Sequence, residues 1–482
     1  MRVSTFWCAL VISSAGIACF AASASADVSF VRTVAPIVLR HCVGCHGDKI
    51  NLGGYRAQTF QYLMRRGGSG KVPVVPGKPE ESALFRLVST SNAASRMPKG
   101  DEPLSKTQVE TIRQWIAEGA KFDGSDPAAS LRSAMGVRQH PAAPQAYRTA
   151  APVMALAIVH QPLPDADLIA VGGYNEVTLW SSKTGTLVRR IGHLPQRIQS
   201  LACSRDGRRL LVAGGTPGEY GEASLVDIAG ASKPQVLGNY SDIALTAVFS
   251  PEGARIAVGG ADGSVSVYDA SSGHRIWISS LHSDWVTSIS FSQDGKFVAS
   301  ASRDMTVKLH NASDGSLYTT YSGHCRQLGQ YKGQDPVYSV HFIGAADDAI
   351  SAGGGKWIQL WNAEKAKEEA GSAADMEERF AKMGHTQYLP HGFDQPVLAT
   401  AVDGNNLYAA SADGSVKLFD IPSKREVRKF SGHTDWVYSL DFSAQDHLLV
   451  TGAYNGEVRV WDPQTAICVC SFYAQPGAHV VH

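Results

Sequence analysis

Cys42-Val43-Gly44-Cys45-His46 sets two thiols three positions apart, with an imidazole directly after the second. Thiols at this spacing reach the two vinyl groups of one porphyrin and form thioethers, and the adjacent histidine is then placed beneath the iron as an axial ligand. Three other readings compete for the same residues. A zinc site needs a second ligand pair at suitable spacing, and none occurs in this part of the chain. A thioredoxin-like redox dithiol needs a strand–helix–strand setting, also missing. Chance is the third, and an export leader at the N-terminus, described below, argues against it, because covalent haem attachment takes place outside the cytoplasm. The motif occurs once, so the expectation is one covalently attached haem c held by Cys42, Cys45 and His46.

A second axial ligand must come from elsewhere. Met97 stands in Arg96-Met97-Pro98-Lys99-Gly100 with Pro103 close behind, a loop stiff enough to offer a soft thioether to iron. Met64 is the alternative, but Tyr62-Leu63-Met64 is an apolar run better suited to a helix face. Histidine on one side and methionine on the other favours reduced iron and gives a relatively high potential, suited to passing single electrons. The predicted iron ligands are therefore His46 and Met97.

The elements that would position these residues are helical. Phe30, Val34, Ile37 and Val38 recur at helical spacing and lead into His41, so a first helix is expected to run toward the cysteines. Ser105 and Gln108 have capping-box spacing, Val109, Ile112 and Ile116 share a face beside Trp115, and Gly119 supplies a stop, which predicts a closing helix with Trp115 in the core. Ala35-Pro36-Ile37, Val75-Pro76-Gly77-Lys78-Pro79-Glu80-Glu81-Ser82-Ala83-Leu84, Met97-Pro98, Pro103-Leu104-Ser105 and Trp115-Ile116-Ala117-Glu118-Gly119-Ala120 closely resemble the planctomycete-type cytochrome c domain family, over nearly all of residues 28 to 122. That resemblance implies a small all-α, class I-like haem fold over residues 27–123 and supports Met97 as the sixth ligand. It names no substrate.

The first 26 residues hold no acid, one Arg at position 2, an apolar stretch from Phe6 to Phe20 and then Ala24-Ser25-Ala26 before Asp27. This predicts a secretory signal peptide cleaved after Ala26, and hence a periplasmic or otherwise exported protein. The apolar run falls short of the roughly 20 residues of a spanning helix, and Cys19 follows a poor version of a lipoprotein site. Lys plus Arg (44) equals Asp plus Glu (44), so the charge points to neither nucleic acid nor an anionic membrane surface. Cys8 and Cys19 leave with the leader and Cys42 and Cys45 serve the haem, so Cys203, Cys325, Cys468 and Cys470 remain. Their pairing is open, and Cys468 and Cys470 read most simply as small apolar residues of a strand.

From 124 to 151 the chain turns rich in Ala, Pro and Ser and reads as a linker. Beyond it, over 152–474, an apolar run, a Gly-containing turn and a strand with a recurring ending repeat seven times. The endings are Leu179-Trp180, Val226-Asp227, Tyr268-Asp269, Leu309-His310, Trp361-Asn362, Phe419-Asp420 and Trp461-Asp462. Most intervals lie near the roughly 40 to 45 residues of one four-stranded propeller blade. His282-Ser283-Asp284-Trp285-Val286 matches His433-Thr434-Asp435-Trp436-Val437, and Ala261-Asp262-Gly263-Ser264-Val265 matches Ala412-Asp413-Gly414-Ser415-Val416. These repeats resemble the WD40 family and imply an all-β seven-bladed propeller followed by a short tail, 475–482. Whether the ring closes by a shared strand or by stacking is open. Gly192-His193, Gly323-His324 and Gly432-His433, with Asp262, Asp304 and Asp413, look like the buried hydrogen-bond sets of such blades, because they follow the repeat instead of converging on one site. The blades around Tyr220 and Gly354 lack part of the set. The charged, helix-prone stretch from Ala363 to Met383 reads as a solvated surface insertion.

The expectation for function is single-electron transfer by one haem, with the propeller as a docking platform for a redox partner protein. Two alternatives stand beside it: an oxidoreductase whose propeller holds a second cofactor, and a haem-based redox sensor or scaffold. No catalytic constellation stands out.

Overall fold

The structure is a computed structural model, which describes residues 28–477 apart from 48–49, 100–101, 125, 132–137, 161–167, 231, 325–326, 329–330, 333–334, 345–346, 373–385 and 390–391. The leader expected at 1–26, Cys325, and the far part of the 363–383 insertion lie outside the described residues. The chain forms two compact units, Met1–Ala134 and Met135–His482.

The first unit is helical. A wide helical turn, Phe30–Val34, runs directly into α1 (Ala35–His41), whose Pro36 sits in the first turn, where a missing N–H costs nothing. Two short helices follow, α2 (Phe60–Leu63) and α3 (Ala83–Ser89), and α4 (Lys106–Ala117) closes the unit. The predicted capping box is formed: Gln108 N–H donates to Ser105 Oγ at 3.2 Å while Gln108 Oε1 accepts from Ser105 N–H at 2.9 Å. Ile112, Trp115 and Ile116 are buried, and the Trp115 indole N–H donates to the Lys121 carbonyl at 2.9 Å. The Trp115 ring packs 5.2 Å from Phe30, and Phe30 packs 4.9 Å from Phe60, which ties both ends of the unit to α2. Leu131 is fully buried in the same unit, and its N–H donates to the Gln58 carbonyl at 2.8 Å.

The second unit is a seven-bladed propeller. Seven antiparallel four-stranded sheets, each a meander in chain order, span 156–192, 197–240, 244–279, 286–321, 337–388, 397–430 and 437–473. The seven predicted endings close the third strand of each blade, as in Glu176–Ser181, Val265–Asp269 and Glu457–Trp461. One such sheet cannot cover both faces, so the cores lie between neighbours: Leu168, Val177 and Leu179 of the first blade pack with Ile198, Leu210 and Val226 of the second.

The ring closes by stacking. All four strands of the last blade come from the C-terminal end, and all four of the first from 156–192. Val450, Val458 and Val460 meet Ile158, Ile169 and Trp180, with Trp180 stacked 4.9 Å from Phe472. Asp441, half-buried in this seam, accepts from Ile158 N–H at 2.8 Å, and Ser439 Oγ donates to the Val153 carbonyl at 2.7 Å.

Two segments differ from the sequence reading. Residues 138–151, expected as linker, form together with 152–153 a strap on the propeller: Tyr147 N–H donates to the Pro476 carbonyl at 3.0 Å and Val153 N–H to the Ala453 carbonyl at 3.0 Å. The insertion begins as α5 (Ala363–Ser372), and it is not wholly solvated. Ala363 and Ala366 are fully buried in the core between the fourth and fifth blades, and Tyr318 of the fourth blade's outer strand donates to Glu364 while Lys367 Nζ lies 3.9 Å over the Tyr318 ring. The helix covers an otherwise open edge strand.

Candidate functional site

The motif opens from the end of α1. Cys42 caps the helix with its N–H on the Val38 carbonyl at 2.9 Å, and its own carbonyl accepts from both Cys45 N–H (3.2 Å) and His46 N–H (2.9 Å). One tight turn thus gathers both thiols and the imidazole. The turn is fixed from outside by Leu52 N–H on the Cys45 carbonyl at 3.0 Å and Ala57 N–H on the His46 carbonyl at 2.7 Å. His46 Nδ1 lies 3.2 Å from the Tyr55 carbonyl, an acceptor only, so Nδ1 carries the proton and Nε2 bears the lone pair. No partner for Nε2 occurs among the described residues. Tyr55 is itself held, its hydroxyl donating to the Leu63 carbonyl at 2.8 Å and its ring 5.4 Å from that of His46.

The thiols of Cys42 and Cys45 are not bonded to each other. Burial, and then the neighbouring Cys45, push the Cys42 thiol up to about 12. A redox dithiol works through a thiolate of depressed pKa, so this environment is the reverse of what a thioredoxin-like site requires. Ile50 and Leu52, beside the turn, are 51% and 57% exposed, an apolar surface next to the thiols.

Met97 stands on another loop. Its N–H donates to the Leu87 carbonyl of α3 at 2.9 Å, and its side chain is half-buried. Two turn bonds precede it, Ser95 and Arg96 N–H on the Asn92 carbonyl at 3.1 and 2.9 Å. The buried Ser82 hydroxyl stitches the preceding 75–82 segment together, donating to the Lys78 carbonyl at 2.9 Å and accepting from Val75 N–H at 2.8 Å. Met64 does not lie on a helix face; it caps the C-terminus of α2. The structure thus unites Cys42, Cys45 and His46 in one turn and holds Met97 on a separate, well-anchored loop.

In the propeller, the polar residues singled out in the sequence are mostly structural. His282 bridges Asp304 and Ser300, each at 2.8 Å; His324 bonds Ser351 at 2.8 Å; His433 bonds Thr451 at 2.7 Å, and Thr451 also accepts from the Trp461 indole at 2.8 Å. His193 is different: it has a left-handed backbone, is exposed, and its ring Nδ1 lies 3.2 Å from the His140 carbonyl. In the second blade the strap supplies the histidine instead, with His140 Nε2 3.0 Å from the buried Glu222. In the first blade Tyr147 of the strap donates to Glu176 Oε1 at 2.8 Å, and Arg190 grips the same carboxylate at 2.6 and 2.8 Å. Sequence reasoning missed His140, Tyr147, Glu176 and Glu222. Their one signal is a glutamate directly before Val177 and Ala223 in the third strand, where Ser264 and Ser415 stand in the third and sixth blades. Among the described residues, no three His, Cys, Asp or Glu side chains gather as a metal site.

Comparison with known proteins divides the chain in the same way. Residues 42–101 match the family model described as Planctomycete cytochrome C. The WD domain, G-beta repeat model matches 233–269, 273–311, 386–420 and 424–462. Each of these four frames joins the outer strand of one blade to three strands of the next, and the unmatched blades are those that borrow residues from the strap or carry α5. Among curated proteins, F-box/WD repeat-containing protein 10 of Mus musculus is 34% identical over 121 residues, 24% of this chain and 12% of that protein. U3 small nucleolar RNA-associated protein 15 homolog of Xenopus tropicalis is 37% identical over 70 residues, 14% of either chain. Striatin-4 of Homo sapiens is 28% identical over 154 residues, 29% of this chain and 19% of that protein. The chain therefore spans less than a fifth of the length of these relatives. It joins a segment that matches the planctomycete cytochrome C model to a seven-bladed propeller, four repeats of which match the WD40 model.

Proposed function

We propose that this is an exported c-type cytochrome that carries one covalent haem for single-electron transfer and docks its redox partner through the propeller. The observation that carries the reading is His46. Its Nδ1–H is committed to the Tyr55 carbonyl at 3.2 Å, which orients the ring and leaves Nε2 as the donor atom, the arrangement found when a histidine serves as an iron ligand. The rest of the site fits the same group. Cys42 and Cys45 offer unbonded thiols on one turn, Met97 offers a thioether from an anchored loop, and exposed Ile50 and Leu52 offer an apolar surface that a porphyrin edge would cover. When bound, haem c supplies a one-electron iron couple, with a potential raised by a His/Met ligand pair.

The propeller's part in this reading is a rigid ring whose rims carry many loops, a geometry suited to docking protein. Most of its buried histidines and acids recur with the repeat and are consumed in hydrogen bonds to their own blade, a neighbouring blade or the strap. The two-ligand assignment is tested by visible spectroscopy of the purified chain. Met97→Ala should convert six-coordinate low-spin iron to high spin and lower the potential, whereas Met64→Ala should do neither. An unchanged spectrum for Met97→Ala would remove Met97 from the site.

A further inference from the structure

The fourth and seventh blades begin with the same pattern, His282-Ser283-Asp284-Trp285-Val286 and His433-Thr434-Asp435-Trp436-Val437. In each, the histidine turns inward to a hydroxyl and the valine is buried, while the tryptophan stays on the surface, 39% exposed at Trp285 and 49% at Trp436. In each, the aspartate Oδ1 accepts from the tryptophan backbone N–H, at 2.7 and 2.8 Å, which fixes the carboxylate at the start of the tryptophan's main chain. The residue facing this corner is also equivalent: Arg303 N–H donates to the Trp285 carbonyl at 3.0 Å, and Tyr454 N–H to the Trp436 carbonyl at 2.8 Å.

In the fourth blade the corner is filled from within. The Arg303 guanidinium lies 4.4 Å over the Trp285 ring and 3.7 Å from the Asp284 carboxylate. The seventh blade puts Tyr454 where Arg303 would be, and thereby an aromatic wall in place of a cation. Trp436, Tyr438 and Tyr454 stand 5.9 to 6.1 Å apart, and Tyr454 is 50% exposed. Among the described residues no Lys or Arg lies over any of these three rings, and none pairs with Asp435. Three ring faces and one carboxylate all favour positive charge.

We propose that this corner of the seventh blade binds an arginine side chain presented by a partner protein, in the manner in which the fourth blade binds its own Arg303. The choice of guanidinium over ammonium follows from the internal example: a planar cation can stack on the indole while its N–H groups face the carboxylate. The inference rests on the reading of the propeller as a docking platform and specifies one of its contacts.

The probe is trifluoroacetyl-Gly-Arg-Gly-amide, titrated into the full-length protein and followed by fluorine NMR line broadening. It should bind, and the isosteric citrulline peptide, which lacks the charge, should not. Asp435→Asn and Trp436→Ala should each weaken binding at least about fivefold. Tyr454→Arg, which rebuilds the fourth-blade arrangement, should abolish it, while Arg303→Met leaves it unchanged. Because Asp435→Asn and Tyr454→Arg alter only surface groups, they serve even if Trp436→Ala misfolds. Equal binding of the arginine peptide and its citrulline or lysine analogue, or full binding by Tyr454→Arg, would overturn the proposal. So would dissociation of a self-associated chain by the peptide, which would make the occupant a second copy. No partner protein enters this experiment, so its failure leaves the docking reading intact. That reading fails separately, if the propeller proves dispensable for binding the redox partner.

Discussion

Arg190→Met keeps the aliphatic stem of the side chain and deletes the guanidinium that grips Glu176 in the first blade. The pair is 29% exposed on the arginine side and 0% on the glutamate side, with contacts of 2.6 and 2.8 Å. Removing the arginine strands a fully buried carboxylate whose remaining side-chain support is the Tyr147 hydroxyl at 2.8 Å. Breaking a buried pair from one side costs about 3–5 kcal/mol, and the partial exposure of Arg190 places this case near about 3 kcal/mol. The variant also releases the strap carbonyls of Pro144 and Gln145, which accept from the same guanidinium. Adding Glu176→Gln removes the stranded charge and should return much of the loss, so that the double variant costs about 1–2 kcal/mol. Arg303→Met is the control: its pair with Asp284 is 3.7 Å long and open to solvent on both sides, so it should cost at most about 1 kcal/mol. Urea unfolding of the full chain, read by the propeller tryptophans, measures all three. If Arg190→Met costs no more than Arg303→Met, or if Glu176→Gln adds to the damage, the strap is not a structural part of the propeller.

Two further outcomes follow from the geometry. Burial pushes the His310 imidazole down to about 4 in the folded state, against about 6.5 unfolded, so between those values the unfolded chain binds more protons and stability falls as pH drops. Between pH 7 and pH 4 the parent should lose about 3 kcal/mol more than His310→Gln, and parallel stability curves would refute it. Ser105→Ala removes one side of the capping box and should lower amide-exchange protection in the first turn of α4 about fivefold, equivalent to about 1 kcal/mol. Unchanged protection there would mean that the cap does not hold the helix start.

Much of this molecule is legible in its sequence because its signals are local. The Cys-x-x-Cys-His pattern, the Ser105–Gln108 box and the seven strand endings are each short patterns that lie within one element or recur at a fixed interval, and the structure forms a single turn at the first, the capping box at the second and the third-strand ends at the last. The strap is illegible for the opposite reason. His140 and Tyr147 lie in an Ala- and Pro-rich stretch without period, and their partners Glu222 and Glu176 are 82 and 29 residues away. His193 misleads because its Gly-His pair copies the repeat while its left-handed backbone turns the ring outward. The insertion reads as solvated because, among the helix residues whose burial is described, Ala363 and Ala366 are the buried ones, and two alanines make a weak apolar stripe. Closure of the ring depends on contacts across more than 280 residues, such as the hydrogen bond from Ile158 N–H to the Asp441 carboxylate, which no local pattern encodes.

The central claim is the covalent haem at Cys42 and Cys45, and intact mass spectrometry of the chain purified from an exporting host tests it most directly. The account predicts a mature N-terminus at Asp27, one added haem mass that survives acidified-solvent extraction, and loss of that mass in the Cys42→Ala/Cys45→Ala double variant. A haem that extracts freely, or a chain that gains no such mass while its leader has been removed, would contradict it.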